Sequence, residues 1–170
     1  MAKRSLTVVP WFKEGLSFTC TQCGNCCTGG PGYVWISDIE IDRLAAYLGL
    51  TRDQTIRKHC RVIDGKVSLK EKRDHRGQYP CIFLSEEEVK GPGGKKVLKR
   101  GCTIYPVRPL QCRTWPFWHG NLDDRDAWDA TTAKCPGANK GRKYTLQQIT
   151  ALRDAEDWPD REKTPSSLNK

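Results

Sequence analysis

Ten residues, Phe18-Thr19-Cys20-Thr21-Gln22-Cys23-Gly24-Asn25-Cys26-Cys27, carry four cysteines within eight positions. A C-x2-C spacing lets two thiolates turn toward one ion while the intervening amides donate to the sulfurs. The bland alternative is hydrophobic cysteine buried in a core, and four thiols this close in sequence argue against it. Glycines at 24, 29 and 30 suit a loop that must wrap closely around a bound centre. Adjacent Cys26 and Cys27 would point to opposite sides of an extended chain. Both serve one centre only where the loop is tightly turned, and otherwise two nearby centres are expected. Of the remaining Cys60, Cys81, Cys102, Cys112 and Cys135, all but Cys60 stand at element boundaries or beside Pro or Gly. Cys60 ends an expected helix without a partner motif and is read as ordinary packing.

The run Cys20-x2-Cys23-x2-Cys26 with a distant Cys135-Pro136 follows the ferredoxin arrangement of three clustered cysteines and a remote one before proline. Cys23-Gly24 resembles a zinc knuckle, and all-cysteine sites suit zinc as well. An iron–sulfur cluster, of the [4Fe-4S] type, is the favoured cofactor and zinc the alternative. The spacing is not C-x3-C-x2-C, so radical chemistry on S-adenosylmethionine is not indicated. Nor is there a G-x-G-x-x-G opening a βαβ unit, a P-loop, a G-x-S-x-G or an H-E-x-x-H, which disfavours nucleotide-driven and hydrolytic enzymes.

The elements that must hold these thiols are short. Tyr33-Val34-Trp35-Ile36 reads as a strand running into Ser37-Asp38-Ile39-Glu40, a capping-box signature. A helix is expected from Asp38 to Leu48, with Ile41, Leu44, Ala45 and Leu48 on one buried face and Gly49 as its stop. Thr51-Arg52-Asp53-Gln54 repeats the start signal for a second helix toward His59. Asp64-Gly65 marks a hairpin between Val62-Ile63 and Val67-Ser68-Leu69. Cys81-Ile82-Phe83-Leu84 and Cys102-Thr103-Ile104-Tyr105 are expected to pair as short strands with a basic tip between them. Pro109 suits the first turn of a helix carrying Cys112 that Pro116 must end. Thr145-Leu146-Gln147-Gln148 opens a last helix to about Glu156. Asp123, Asp124, Asp126 and Asp129 lack the EF-hand pattern and read as a solvated loop.

Composition sharpens the argument for a cross-linked core. Leu, Ile, Val and Phe make up 33 of 170 residues, just under the roughly 20% below which charged chains tend to lack a core. Nine cysteines and six tryptophans supply what the aliphatics do not. No apolar run approaches a membrane span, and the secretory-looking Leu6 to Phe12 is cut by Pro10 and lacks a cleavage site. A cytoplasmic protein with no membrane association is expected, and in that compartment a cysteine pattern points to metal rather than disulfides. The formal charge of +9 counts cysteines as neutral, and thiolate ligation would withdraw much of it. Lys90, Lys95, Lys96, Lys99 and Arg100 crowd one Gly-rich stretch, but Glu86 to Glu88 precede them and no aromatics interleave. Nucleic acid is therefore an unlikely partner, and a solvated hairpin tip the preferred reading.

Phe18 through Cys27, Cys81 to Leu84, Cys102 to Tyr105, and Arg108-Pro109-Leu110-Gln111-Cys112-Arg113-Thr114-Trp115-Pro116-Phe117 together resemble the CxxCxxCC (YkgJ-type) cysteine-cluster family. The resemblance implies a zinc- or iron-chelating domain, a relationship to flagellin lysine methylases, and Cys135 as an eighth ligand. The basic insertion at 90–100 and Trp115 before Pro116 depart from the family pattern without touching a ligand.

The expected protein is thus a small, irregular α+β single domain, with short helices and hairpins organised around one or two all-cysteine metal sites. Residues 1–14 would be an N-terminal extension, 15–157 the cysteine-cluster domain and 158–170 a polar tail. The ligands would be Cys20, Cys23, Cys26, Cys27, Cys81, Cys102, Cys112 and Cys135. Arg108 and Arg113 bracket Cys112 and could reach sulfur, an anionic substrate or local carboxylates, with neutralisation of the anionic cluster preferred. Trp115, Phe117 and Trp118 would wall a cluster off from water or simply pack a core. His59, His75 and His119 are left as structural or solvated. Three functions follow: a redox module, part of a protein-modifying activity with a protein partner or substrate, or a zinc-stapled module that binds nucleic acid or protein. The chain offers no identifiable catalytic acid, base or cofactor loop.

Overall fold

The computed structural model describes residues 9–155. The expected polar tail, most of the expected N-terminal extension, and Glu156 lie outside the described residues. In chain order the elements are β1 (Leu16–Phe18), α1 (Asp38–Leu48), α2 (Arg52–His59), β2 (Cys60–Ile63), β3 (Lys66–Leu69), β4 (Leu84–Lys90), β5 (Lys96–Cys102), α3 (Leu110–Thr114), α4 (His119–Leu122), α5 (Arg125–Lys134), β6 (Ala138–Tyr144) and α6 (Leu146–Asp154). The fold is α+β, with three two-stranded antiparallel pairs, β1-β6, β2-β3 and β4-β5. Among the described residues no helix is long and apolar enough to cross a membrane. The chain divides into two compact units, residues 22–115 and residues 9–21 with 116–154.

The 22–115 unit is built on two capped helices and a hairpin. Ser37 and Glu40 close the capping box of α1, and Thr51 and Gln54 that of α2. Gly49 ends α1 in the left-handed conformation that glycine tolerates best. Asp64 and Gly65 take φ of 50° and 78° between β2 and β3, the paired positive values of a tight hairpin turn. Ile36, Ile41, Leu44, Cys60, Leu69, Phe83 and Ile104 form the buried centre, with Cys81 and Cys102 packed at its margin.

Three expected strands differ from the reading. Tyr33 to Ile36 makes a single bridge, Trp35 to Ser68, beside which Val34 N donates to the Ser68 hydroxyl at 3.0 Å and not to a backbone carbonyl, while the segment's other backbone edge is taken by a side chain. The Gln111 amide accepts from Trp35 N at 2.8 Å and donates to Tyr33 O at 3.1 Å. The strands expected at 81–84 and 102–105 instead begin at the Leu84↔Cys102 pair and run outward to Lys90↔Lys96. Cross-strand charge pairing explains the shift: Glu86 lies opposite Arg100 at 2.8 Å, and Lys96 Nζ reaches Glu88 at 2.8 Å. The basic segment is itself a strand rather than a tip.

The other unit has an aromatic core. Phe117 stacks on Trp128 with centroids 6.0 Å apart and meets Phe18 edge-on at 6.0 Å, while Tyr144 tilts against it at 4.9 Å. The indole N–H groups of Trp11 and Trp128 are satisfied by Leu122 O and Asn139 Oδ1, each at 2.9 Å. Phe117 is therefore a core residue. The acidic stretch read as a loop belongs largely to α5: Asp124 caps it by accepting from Ala127 N at 2.8 Å, and Asp126 and Asp129 stay exposed. The helix escaped notice because only Trp128 and Thr131 of its ten residues are buried. In α6, Thr145 and Gln148 exchange the expected capping bonds.

Candidate metal centre

The loop after Gln22 turns as a thiol cluster would require. Gly24 takes φ 76°, and a Cβ there would stand 2.7 Å from Leu84 Cδ1, so the position demands glycine on both counts. A 3-10 turn, Asn25–Cys27, follows, closed by Cys27 N donating to Gly24 O at 2.9 Å. This is the tight turn that adjacent cysteines need to face one centre, and it brings Cys26 Sγ and Cys27 Sγ to 3.8 Å.

Three other segments bring sulfur to the same neighbourhood. Cys81 is tied to the loop by its N–H, which donates to Cys27 O at 2.9 Å, and Tyr79 N donates to Gly29 O at 2.9 Å. Glu71, bridged to Cys81 across a single β-pair, accepts from Gly32 N and from Arg61 Nη2, both at 3.1 Å. Cys102 ends β5 opposite Leu84. Cys112 lies in the middle of α3, whose first N–H, at Leu110, donates to Glu40 Oε1 at 2.6 Å.

The electrostatics show how closely these groups communicate. A hydrogen bond from Cys27 draws the Cys26 thiol down to about 7, helped by the positive charge of Arg108. The same bond, with burial, raises Cys27, so the pair holds one proton in common. Burial pushes Cys81 up to about 11, and ionised Cys102, Glu71 and Cys26 add to it. Cys112 is raised by burial and then by Cys81, Cys26 and Cys102, with Arg108 opposing. Arg108 is held by Tyr105 O at 2.7 Å, its guanidinium 3.8 Å from the Tyr105 ring centroid. Arg113 instead turns to Glu40 Oε1 at 3.1 Å, the local-carboxylate option among those open to it.

Five thiols thus share one field: Cys26, Cys27, Cys81, Cys102 and Cys112. All nine cysteines are free of disulfides. Among the described residues no three His, Cys, Asp or Glu side chains already converge at coordination distance. Ligation at about 2.3 Å per Zn–S bond requires the loops to draw the sulfurs inward. The donor set nevertheless fits a thiophilic metal: several sulfurs, one of them ionised near neutrality, with a fixed guanidinium to offset thiolate charge.

Of the other expected ligands, Cys23 is half-buried at the start of the same loop. Cys20 and Cys135 belong to the other unit. There Thr19 N donates to Gly137 O at 3.2 Å, aligning the segment of exposed Cys20 with that of buried Cys135. A Cβ on Gly137 would fall 2.1 Å from Thr19 O, so this approach needs glycine. Cys60 is buried in the apolar centre of its unit, and burial lifts its thiol to about 11. His119 Nε2 lies 3.1 Å from Asp154. Sequence reasoning did not single out Glu40, Glu71 or Gln111, which brace the thiol-bearing segments. Only Glu40 left a signal, as the third-position Glu of a capping box.

No solved structure matches the chain. An uncharacterized protein of Methanocaldococcus jannaschii is 27% identical over 106 residues, covering 62% of this chain and 48% of that protein, so the chain spans about half the length of this relative. A family profile described as "Putative zinc- or iron-chelating domain" matches residues 19–136, a span that holds all nine cysteines. With its thiol loop, its three further sulfur-bearing segments and that match, the chain belongs to the CxxCxxCC family of metal-chelating domains.

Proposed function

We propose that the 22–115 unit holds a cysteine-ligated metal centre, iron–sulfur in preference to zinc, acting as a redox module or as the metal-bearing part of a protein-modifying activity. One observation carries this reading: Cys26 Sγ and Cys27 Sγ lie 3.8 Å apart in a turn to which Cys81 is tied by its N–H on Cys27 O, with the charge of Cys112 raising Cys27 and that of Cys102 raising Cys81. A tetrahedral zinc and an iron–sulfur cluster would each use four thiols, and the preference for iron rests on the Cys20-x2-Cys23-x2-Cys26 spacing. When bound, an iron–sulfur cluster would supply one-electron transfer at a potential set by burial and by hydrogen bonds to sulfur.

The chain's own residues prepare for ligation. Cys26 offers a thiolate at neutral pH, and Cys27 Sγ carries the proton that must leave when the pair binds a cation. Arg108 offsets accumulating negative charge, while Phe83 and Ile104 keep water from the apolar side. The protein-modifying alternative rests on the relationship to flagellin lysine methylases that the resemblance to the family implies, and it would need a protein substrate. A reducing compartment such as the cytoplasm keeps nine thiols available. Nucleic acid is disfavoured as a partner because Glu86 and Glu88 already pair with Arg100 and Lys96.

Metal and sulfide analysis with an absorption spectrum, on protein purified without oxygen, tests the reading. Iron with acid-labile sulfide and visible charge-transfer bands is the expected result. Stoichiometric zinc in colourless protein would move the assignment to a zinc-stapled binding module, and absence of both metals would overturn it.

A further inference from the structure

Helix α3 carries Cys112 but has little means of holding itself. It spans five residues, begins at Pro109 without a side-chain cap, and is shorter than the length at which helices stabilise themselves in water. Its placement comes from outside. On one side Glu40 Oε1 accepts from Leu110 N at 2.6 Å and from Arg113 Nη2 at 3.1 Å. On the other, the Gln111 amide sits between Tyr33 O and Trp35 N in the manner of a paired strand. Cys112 therefore lies between two residues that are each pinned to the Tyr33–Glu40 segment.

Glu40 is the pivot. Its Oε2 accepts from Ser37 N at 3.2 Å, the ordinary duty of the third-position Glu in a capping box. Its Oε1 caps a second helix seventy residues along the chain, and the residue is buried. A buried carboxylate with three N–H partners on three backbone or guanidinium groups is costly to disturb, since any partner it loses stays desolvated.

We infer that Glu40 is a positioning residue for Cys112: its carboxylate, with Gln111, fixes where the Cys112 sulfur stands relative to the other thiols. Groups that orient a ligand from behind it govern metal affinity without touching the ion. The affinity consequence rests on the metal-centre reading proposed above, whereas the placement of Cys112 does not.

The test compares full-length Glu40→Gln and Gln111→Ala with Thr51→Ala, which removes the Thr51 cap of α2 and touches nothing in α3. Zn2+ affinity is measured by chelator competition, and Co2+ thiolate absorption reports the ligand geometry. Glu40→Gln and Gln111→Ala are expected to weaken Zn2+ binding by about 10–100-fold and to alter the Co2+ spectrum, with Thr51→Ala like the wild type. In metal-free protein, iodoacetamide labelling of Cys112, followed peptide by peptide, should rise by about tenfold in Glu40→Gln through local opening, with Cys60 labelling unchanged. Cys112 labelling and Zn2+ affinity that match Thr51→Ala would overturn the inference. If the wild type takes up no Zn2+, the metal reading fails, and the labelling result alone decides the role of Glu40.

Discussion

The two units solve the shortage of aliphatic residues in opposite ways. The unit of residues 9–21 and 116–154 closes on Phe18, Phe117, Trp128 and Tyr144, rings that bury large areas against one another, with the Trp128 N–H paired to Asn139. The 22–115 unit has a small aliphatic centre and leaves sulfur where more hydrocarbon would otherwise sit, with Cys81 and Cys102 at its margin. The first is complete as a hydrophobic core. The second has thiols that burial and one another keep protonated, and a bound cation must take those protons' place. Aromatic burial and metal ligation are thus alternative remedies for the same deficit.

Removing metal should separate the units most sharply. Coordination adds on the order of 10 kcal/mol to small metal domains, so chelation is expected to lower amide-exchange protection across residues 22–115, leaving that unit folded but weaker, while protection around Trp128 is unchanged. Equal loss in both would show that the units do not stabilise independently. Trp128→Ala should do the reverse, costing about 3–5 kcal/mol by denaturation with bound metal unchanged. Ligand and bystander cysteines separate next: Cys112→Ser is expected to lower bound metal, and Cys60→Ser to leave it intact. Metal analysis that finds equal loss would place Cys60 among the ligands.

Two pH dependences sharpen the contrast within the thiols. Cys60 is raised from its ordinary 9.0 to about 11, so the unfolded chain releases this proton first. Stability is full below pH 9, falls as pH rises from there, and levels off once the folded thiol also ionises, a loss on the order of 2 kcal/mol that Cys60→Ala should erase from alkaline unfolding curves. Cys26, drawn down to about 7, should in metal-free protein alkylate half-maximally near neutrality, far below Cys81. The smallest effect is expected at the exposed Lys96–Glu88 pair, where Lys96→Ala should cost less than about 1 kcal/mol in thermal unfolding.

The local grammar of the chain was legible without the fold. Ser37 with Glu40, Thr51 with Gln54 and Thr145 with Gln148 announce helices, and Asp64-Gly65 announces a hairpin, because caps and turns depend on residues three or fewer positions apart. The Cys20 to Cys27 run, its glycines and the family likeness were equally open to reading, and the turn at Gly24 agrees with them. What stayed hidden depends on partners far away in sequence. Tyr33 to Ile36 has the residues of a strand but gives one backbone edge to Gln111, and α5 hides its two buried residues among aspartates. Sequence alone determined that this chain has thiols to spare and too little hydrocarbon. Tertiary structure decided that Cys26, Cys27, Cys81, Cys102 and Cys112 share one field, and that a capping glutamate holds the helix of the last of them. The physical reason is that hydrogen bonds and electrostatic coupling act through space, over distances that spacing along the chain does not encode.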